Sequence, residues 1–245
     1  MHEDTRRNFL LKGGIVSATL MVPGVAGFAL PEKGGEKAGE EVEVSPTEDL
    51  MREHGLLNRV LLIYEESERR LGGNRDLDPK VLSDAAGIIK NFVENYHEKL
   101  EEDYLFPRFE KAGKLTDLVA VLRQQHQAGR QVTAQILQLA AARSAADRQK
   151  LVTAIAAFIR MYRPHEARED TVLFPALHSI VSAHEFDALG DDFEKKEHEL
   201  FGKEGFEGMV VKVGELEESS GSTIWRSSRR NESKTPVGPS NSSTP

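Results

Sequence analysis

The sequence predicts an all-α fold: an antiparallel up-and-down four-helix bundle with a short extra C-terminal helix. In four long segments, apolar residues recur at alternating spacings of three and four, which is the period of an amphipathic helix. Short segments rich in glycine, asparagine or serine separate these stretches, and short connections favour antiparallel neighbours. No segment shows the strict alternation of apolar and polar residues that indicates a strand.

The first two predicted helices, A and B, begin at capping sequences. Ser45–Glu48 places a serine cap, a proline at the first helical position and a glutamate three residues after the cap. Helix A is expected to run to about Leu71, because Gly72-Gly73-Asn74 follows. Asp78-Pro79 begins helix B, which is expected to end near Gly113.

The remaining helices follow from the same kind of signal. Helix C is expected from about Thr116 to Ala142. Helix D begins after Ser144 and continues past Pro164, where a kink is expected because proline lacks the helical N–H. A shorter fifth helix is predicted from about Ala183 to Phe201.

Residues 1–30 are predicted to be an export signal. Arg6 and Arg7 precede Phe9 and an apolar stretch that is broken by Pro23, so a stable membrane span is the weaker interpretation. The segment resembles a bacterial twin-arginine signal. This resemblance implies recognition by the twin-arginine export machinery, folding before transport, and a periplasmic or otherwise exported location. No membrane span is expected once the signal is removed.

Three further regions follow the predicted signal. Residues 31–45 are charged and lack periodicity, which indicates a flexible linker, and residues 46–205 hold the predicted bundle. Residues 206–245 are predicted to form a disordered polar tail, since Ser, Pro, Asn and Gly become frequent there.

Composition excludes several classes of function. The chain has 40 acidic and 32 basic residues, which give a net charge of −8. This negative charge would repel the phosphates of nucleic acid, so nucleic acid is an unfavourable partner. The absence of cysteine excludes disulfides, thiolate catalysis and iron–sulfur clusters. Any bound metal must therefore be held by nitrogen and oxygen ligands.

Each of the four long helices carries one histidine in or beside its apolar stripe: His54, His97, His126 and His165. All four are predicted to point towards the bundle axis. One buried histidine alone is most simply explained by a hydrogen bond to a neighbour. Four of them favour a shared partner, because burying each imidazole unpaired would cost about 2 kcal/mol or more. A metal is the simplest such partner.

Two histidines belong to a repeated motif. His97 to Glu101 and His165 to Glu169 both read His-x-x-x-Glu, and positions i and i+4 share a helix face. The segments 97–107 and 165–175 are identical at six of eleven positions, so helices B and D are predicted to be counterparts. Four imidazoles and two carboxylates exceed the needs of one tetrahedral zinc and suit two bridged ions.

Together these motifs resemble the hemerythrin-like, HHE cation-binding family over residues 50–178. The matching features are Glu53-His54 near the start of helix A, the two His-x-x-x-Glu motifs and the helix C histidine. The resemblance implies a non-haem di-iron centre of two iron ions with a bridging oxo or hydroxo group and with Glu101 and Glu169 as bridging ligands. The implied ligand set is His54, His97, Glu101, His126, His165 and Glu169.

Two departures from the family pattern leave alternatives open. Arg130 stands where oxygen-carrying hemerythrins have a second helix C histidine, so one iron lacks a nitrogen ligand. Water or a carboxylate would replace it, and Glu98 is the nearest candidate carboxylate. The oxygen carriers use His-x-x-x-x-Asp on helix D, and Asp170 has that spacing beside Glu169. The internal match to Glu101 favours Glu169.

The leading hypothesis is an exported di-iron protein that binds or reacts with O2, NO or peroxide at the incomplete iron. Iron storage and a peroxide-decomposing enzyme are the alternatives, and a bundle without metal is the third. No catalytic residues are assigned because no further acid–base pair is evident, so a binding protein is favoured over an enzyme. The ligand types leave iron, manganese and zinc open.

Overall fold

The structure is a computed structural model that describes residues 44–141 and 144–221. Within these ranges every regular element is helical, as predicted. The helices are α1, Pro46–Gly72; α2, Pro79–Ile88 continued through π-helical turns at Ile89–His97 and Glu101–Leu105 to Phe106–Ala112; α3, Thr116–Leu139; α4, Ala145–Arg168 continued through a π-helical turn at Glu169–Leu173 to Phe174–Leu177; α5, Ala183–Phe201; and α6, Gly205–Ser220.

The helices predicted as A to D correspond to α1 to α4, and their capping residues act as expected. The Ser45 hydroxyl accepts a hydrogen bond from the Glu48 backbone N–H at 3.2 Å. Asp78 caps α2 through the N–H of Lys80, and Ser144 caps α4 through the N–H of Asp147. These bonds satisfy backbone donors that the first helical turn leaves free.

Four of the helices close a ring around one core. α1 packs against α2 and α4, and α3 packs against the same two helices. The predicted fifth helix is confirmed as α5, and it joins α6 in a hairpin that packs on α1 and α2. The antiparallel up-and-down order of the four helices stays a prediction.

Helix α6 corrects the prediction of a disordered tail from residue 206. Phe206, Met209, Val213 and Leu216 recur at spacings of three and four and are buried. The serine-rich composition further along the chain outweighed this apolar stripe in our prediction. The rest of the predicted tail, the predicted signal and all but the end of the predicted linker lie outside the described residues.

Within the described ranges, no helix is both long enough and apolar enough to cross a bilayer.

Both His-x-x-x-Glu motifs run into a π-helical turn that begins at the glutamate. The N–H of Phe106 bonds to the carbonyl of Glu101, and the N–H of Phe174 bonds to the carbonyl of Glu169. Such turns are frequent at functional sites because the extra residue re-aims side chains. The two motifs therefore share a local distortion as well as a sequence.

Gly129 marks a close approach between α3 and α4. A Cβ built at this position would lie 2.3 Å from the hydroxyl oxygen of Tyr162, whereas one built at Gly55 meets nothing within 4 Å. We expect Gly129→Ala to lower the free energy of unfolding by about 1–3 kcal/mol, because the buried tyrosine must move. Gly55→Ala should instead raise it by up to about 1 kcal/mol, since alanine favours a helix interior. Urea unfolding of both variants checks this, and equal effects would contradict it.

Candidate metal centre

The structure brings the six predicted ligands together inside the four-helix ring. Each of the four helices contributes at least one histidine, and α2 and α4 also contribute the glutamates. All six side chains are at most 3 % exposed: His54, His97, Glu101, His126, His165 and Glu169. The predicted inward orientation of the four histidines agrees with this burial.

The four imidazoles form two close pairs. The Nε2 atoms of His54 and His97 are 3.0 Å apart, and those of His126 and His165 are 3.2 Å apart. Two unprotonated nitrogens at this separation repel each other unless a proton or a cation lies between them. Two ligands about 2.1 Å from one ion, at right angles to each other, are roughly 3.0 Å apart. The spacing therefore suits adjacent ligands of one metal ion.

The two glutamates lie between the histidine pairs. Oε2 of Glu169 is 3.4 Å from Nε2 of His54 and 3.2 Å from Nε2 of His165. Glu101 likewise approaches His97 at 3.8 Å and His126 at 3.4 Å. Within the described residues none of the four carboxylate oxygens has a hydrogen-bond partner. Buried carboxylates without partners are costly, and a bridged pair of cations would satisfy them.

The donor atoms fall into two groups whose members lie within 4.8 Å of one another. One group contains Glu101, His126, His165 and Glu169, and the other contains His54, His97 and Glu101. Glu169 also lies 3.4 Å from Nε2 of His54, so both glutamates lie beside both histidine pairs. Two histidines and two shared carboxylates for each ion would leave positions on iron for another molecule. The placement of the open position on the iron of helix C stays a prediction.

The outer nitrogen of every histidine is held by an acceptor. The Nδ1 atoms of His54, His97, His126 and His165 lie 2.7–3.1 Å from oxygens of Asp170, Glu53, Glu102 and Gln125, respectively. In a neutral imidazole, an acceptor at Nδ1 places the proton there and leaves the Nε2 lone pair directed inward, which is the arrangement of metal-bound histidines.

Sequence reasoning did not assign these acceptor roles. A positional signal exists, because Glu53 and Gln125 each precede a histidine by one residue. Glu102 and Asp170 each follow a motif glutamate by one residue. The two halves of the site are thus built to one plan.

The two extra candidate ligands, Glu98 and Asp170, are engaged elsewhere. Asp170 binds His54 from outside the donor groups and its side chain is 34 % exposed. Glu98 accepts a hydrogen bond from the Tyr162 hydroxyl at 2.5 Å and pairs with Arg130 at 2.7 Å. Arg130 also pairs with Glu102 at 2.8 Å. Arg130, four positions after the α3 histidine, therefore holds two carboxylates beside the site.

Burial and charge shift the pKa values of the donors. Burial lowers the pKa of His126 to about 4, so its imidazole is neutral. Burial and the neighbouring Glu169 carboxylate raise the pKa of Glu101 well above its ordinary value. Burial by itself would lower the pKa of His54, but Asp170 and Glu169 raise it to about 10. Protons and cations therefore compete for His54 and Glu101.

Metal uptake is expected to release protons because His54 and Glu101 must be deprotonated to act as ligands. His54 keeps its proton below a pKa of about 10, so metal affinity should rise with pH from about pH 5 to about pH 8. A pH indicator in weakly buffered solution measures the release during titration with Fe²⁺ or Zn²⁺. Zero release, or an affinity independent of pH, would contradict this assignment.

Comparison with known proteins gave a family match, three relatives and no solved structure. The model of the hemerythrin HHE cation binding domain matches residues 45–177 and again residues 117–220. Uncharacterized proteins of Mycobacterium tuberculosis and Mycobacterium bovis are 50 % identical over 185 residues, which cover 74 % of this chain and 72 % of theirs. No solved structure matches the chain. The second family match begins in α3. This start is expected if α3 and α4 repeat the pair formed by α1 and α2.

Proposed function

The chain belongs to the hemerythrin HHE cation binding domain family, and on this premise we propose that it is an exported non-haem di-iron protein that binds or reacts with a small oxidant. The oxidants we propose are O2, NO and peroxide. The observation that carries the proposal is a buried site in which two glutamates without hydrogen bonds lie between two pairs of histidines.

In this proposal His126 and His165 would hold one ion, His54 and His97 would hold the other, and both ions would share Glu101 and Glu169. Imidazole and carboxylate donors suit iron. A pair of iron ions would supply two electrons in passing from the ferrous to the ferric state. Glu53, Gln125, Glu102 and Asp170 orient the imidazoles from behind, and this support typically affects metal affinity by 10–100-fold.

Access to the site is narrow, which supports a small ligand. Phe174 stacks on His54 with ring centroids 5.6 Å apart, and Phe106 stacks on His126 at the same distance. These rings exclude water from the imidazole faces, and the six donors are nearly inaccessible to solvent. Because Arg130 replaces a histidine of the oxygen carriers, we favour reaction with or sensing of an oxidant over reversible oxygen carriage.

The test is to load the protein with iron, reduce it without oxygen and mix it with O2, NO or hydrogen peroxide. A rapid change in the absorption spectrum is expected with at least one oxidant. The change should be lost in His54→Ala and kept in His184→Ala, which alters an exposed histidine. Reduced protein that responds to none of the three would contradict the proposal. Uptake of many more than two iron ions per chain would favour storage.

We also propose export by the twin-arginine route. The supporting feature is the arginine pair before an apolar stretch, at residues that the structure does not describe. Replacing Arg6 and Arg7 together with lysine should retain the protein in the cytoplasm of a bacterial host. An unchanged distribution between cytoplasm and periplasm would refute this part of the proposal.

A further inference from the structure

The four-helix ring has two related faces, of which one is covered. His54 on α1 corresponds to His126 on α3, and His97 on α2 corresponds to His165 on α4. The hairpin of α5 and α6 packs on the α1–α2 face. Within the described residues no helix pair packs in the same way on the α3–α4 face.

A helical stripe runs along the outer side of α3 without any charge. Its members are spaced alternately by four and three residues: Val121, Gln125, Ala128, Val132, Gln135 and Leu139. All are exposed or half-buried, and Val121 is 46 % exposed. The positions 72 residues earlier on α1 are all buried: Asp49, Glu53, Leu56, Val60, Ile63 and Ser67. The stripe thus has the position of a packing face but is open to solvent.

A shallow groove of about 260 Å³ lies between this stripe and α4. Val132, Ala154 and Ala157 form its apolar part. Lys150 lies at its edge, and Arg160 lies one turn beyond Ala157 and is exposed. Small uncharged side chains at the centre with charges at the rim are typical of a transient protein interface.

The charges beside the groove differ from those of the hairpin that covers the opposite face. Lys150 and Arg160 are both exposed. Lys150 pairs with Asp147 at 2.9 Å, and Arg160 has no ion pair within the described residues. The α5–α6 hairpin holds four Lys and twelve Asp or Glu, a net charge of −8. Complementary charge steers association, so the α3–α4 face suits an acidic partner.

The same face is linked to a predicted metal ligand by one side chain. Oε1 of Gln125 accepts a hydrogen bond from Nδ1 of His165 at 3.0 Å, and Gln125 is partly exposed. The corresponding link from His97 to Glu53 is buried. His54 also approaches solvent through Asp170, but the partly exposed carboxylate of Asp170 would repel an acidic protein.

We propose that the α3–α4 face is the docking site of a small acidic electron-transfer protein, which reduces the metal centre through Gln125 and His165. This proposal rests on the proposed function, because a centre that reacts repeatedly with an oxidant must be reduced again. The partner loses one electron for each ferric ion that is reduced. The chain lacks cysteine and so has no thiol pair or iron–sulfur cluster to supply these electrons.

The test measures binding to an acidic [2Fe–2S] ferredoxin as the probe, with basic cytochrome c as the opposite-charge control. Binding is measured by calorimetry on the protein as purified, so the result does not depend on reaction with an oxidant. Salt-sensitive binding of the ferredoxin is expected. Lys150→Glu combined with Arg160→Glu should weaken it by about 10-fold or more. Lys195→Glu combined with Lys203→Glu makes the same charge change on the α5–α6 hairpin and should weaken it by less than about 2-fold.

Three results would overturn the docking proposal: no ferredoxin binding, equal weakening by both variant pairs, or equally tight binding of cytochrome c. A docking failure with oxidant reactivity intact would leave the proposed function standing. The converse, confirmed docking on this face with iron that is inert to all three oxidants, would refute the proposed function alone.

Discussion

Glu101→Gln and Glu169→Gln are each expected to abolish binding of the metal pair. Each glutamate approaches one histidine of both pairs, so its loss removes a ligand from both ions at once. A neutral amide also removes one of the two negative charges that a pair of cations needs in a buried site. Elemental analysis after loading with excess iron and desalting measures the effect.

Asp170→Asn is the matched control because it changes the neighbouring carboxylate of the same helix. Asp170 contacts the outer nitrogen of His54 and lies outside both donor groups. Its substitution should leave two ions bound at saturating iron and lower their affinity by about 10–100-fold. If Asp170→Asn lost an ion while Glu169→Gln kept both, the assignment of Glu169 as the bridging ligand would be wrong.

Removing the metal is expected to lower the melting temperature by roughly 8–16 °C. A ligand that binds only the folded chain raises the free energy of unfolding by about 4 kcal/mol when its concentration is a thousand times its dissociation constant. In a domain of this size, each kcal/mol of unfolding free energy shifts the melting temperature by about 2–4 °C. The close Nε2 pairs and the carboxylate oxygens without hydrogen bonds make the folded chain depend on a cation.

Thermal melts followed by circular dichroism, with and without a chelator, measure this difference. Adding iron back should restore the melting temperature of the native chain. The chelator should have no effect on Glu101→Gln, which is expected to hold no metal pair. A native chain that melts at the same temperature with and without chelator would show that the cluster is stable without an ion.

The sequence contains most of what determines the helices and the inner donor set. Side chains at helical spacing predicted which residues face the core, and the repeated His-x-x-x-Glu motif predicted which of them converge. His54 and His126 followed from their place in the apolar stripes of α1 and α3. These features lie within single helices, so the sequence of each helix is sufficient to recognise them.

The outer acceptors and α6 depended on packing between helices. Glu102 on α2 binds His126 on α3, and Asp170 on α4 binds His54 on α1, so neither contact has a fixed sequence spacing. Glu98 was a candidate ligand until the positions of Tyr162 and Arg130 were known. The open α3–α4 face became visible only once α5 and α6 were placed on the opposite face.

The two halves of the site also differ at the residue four positions after the α1 and α3 histidines. Four positions after the α1 histidine, Asn58 donates a hydrogen bond to Glu166 at 2.5 Å. Four positions after the α3 histidine, Arg130 pairs with Glu98. Both positions thus serve a carboxylate that follows a motif histidine. The two halves of the site thus share their arrangement of contacts but differ in charge, because Asn58 is neutral and Arg130 is positive.

The most direct test of a di-iron centre is elemental analysis combined with an absorption spectrum of the protein as purified. Two iron ions per chain and near-ultraviolet bands of a bridged diferric pair are the expected result. A chain with one ion, with zinc alone and no such bands, or with no metal that it binds on reconstitution would contradict the account.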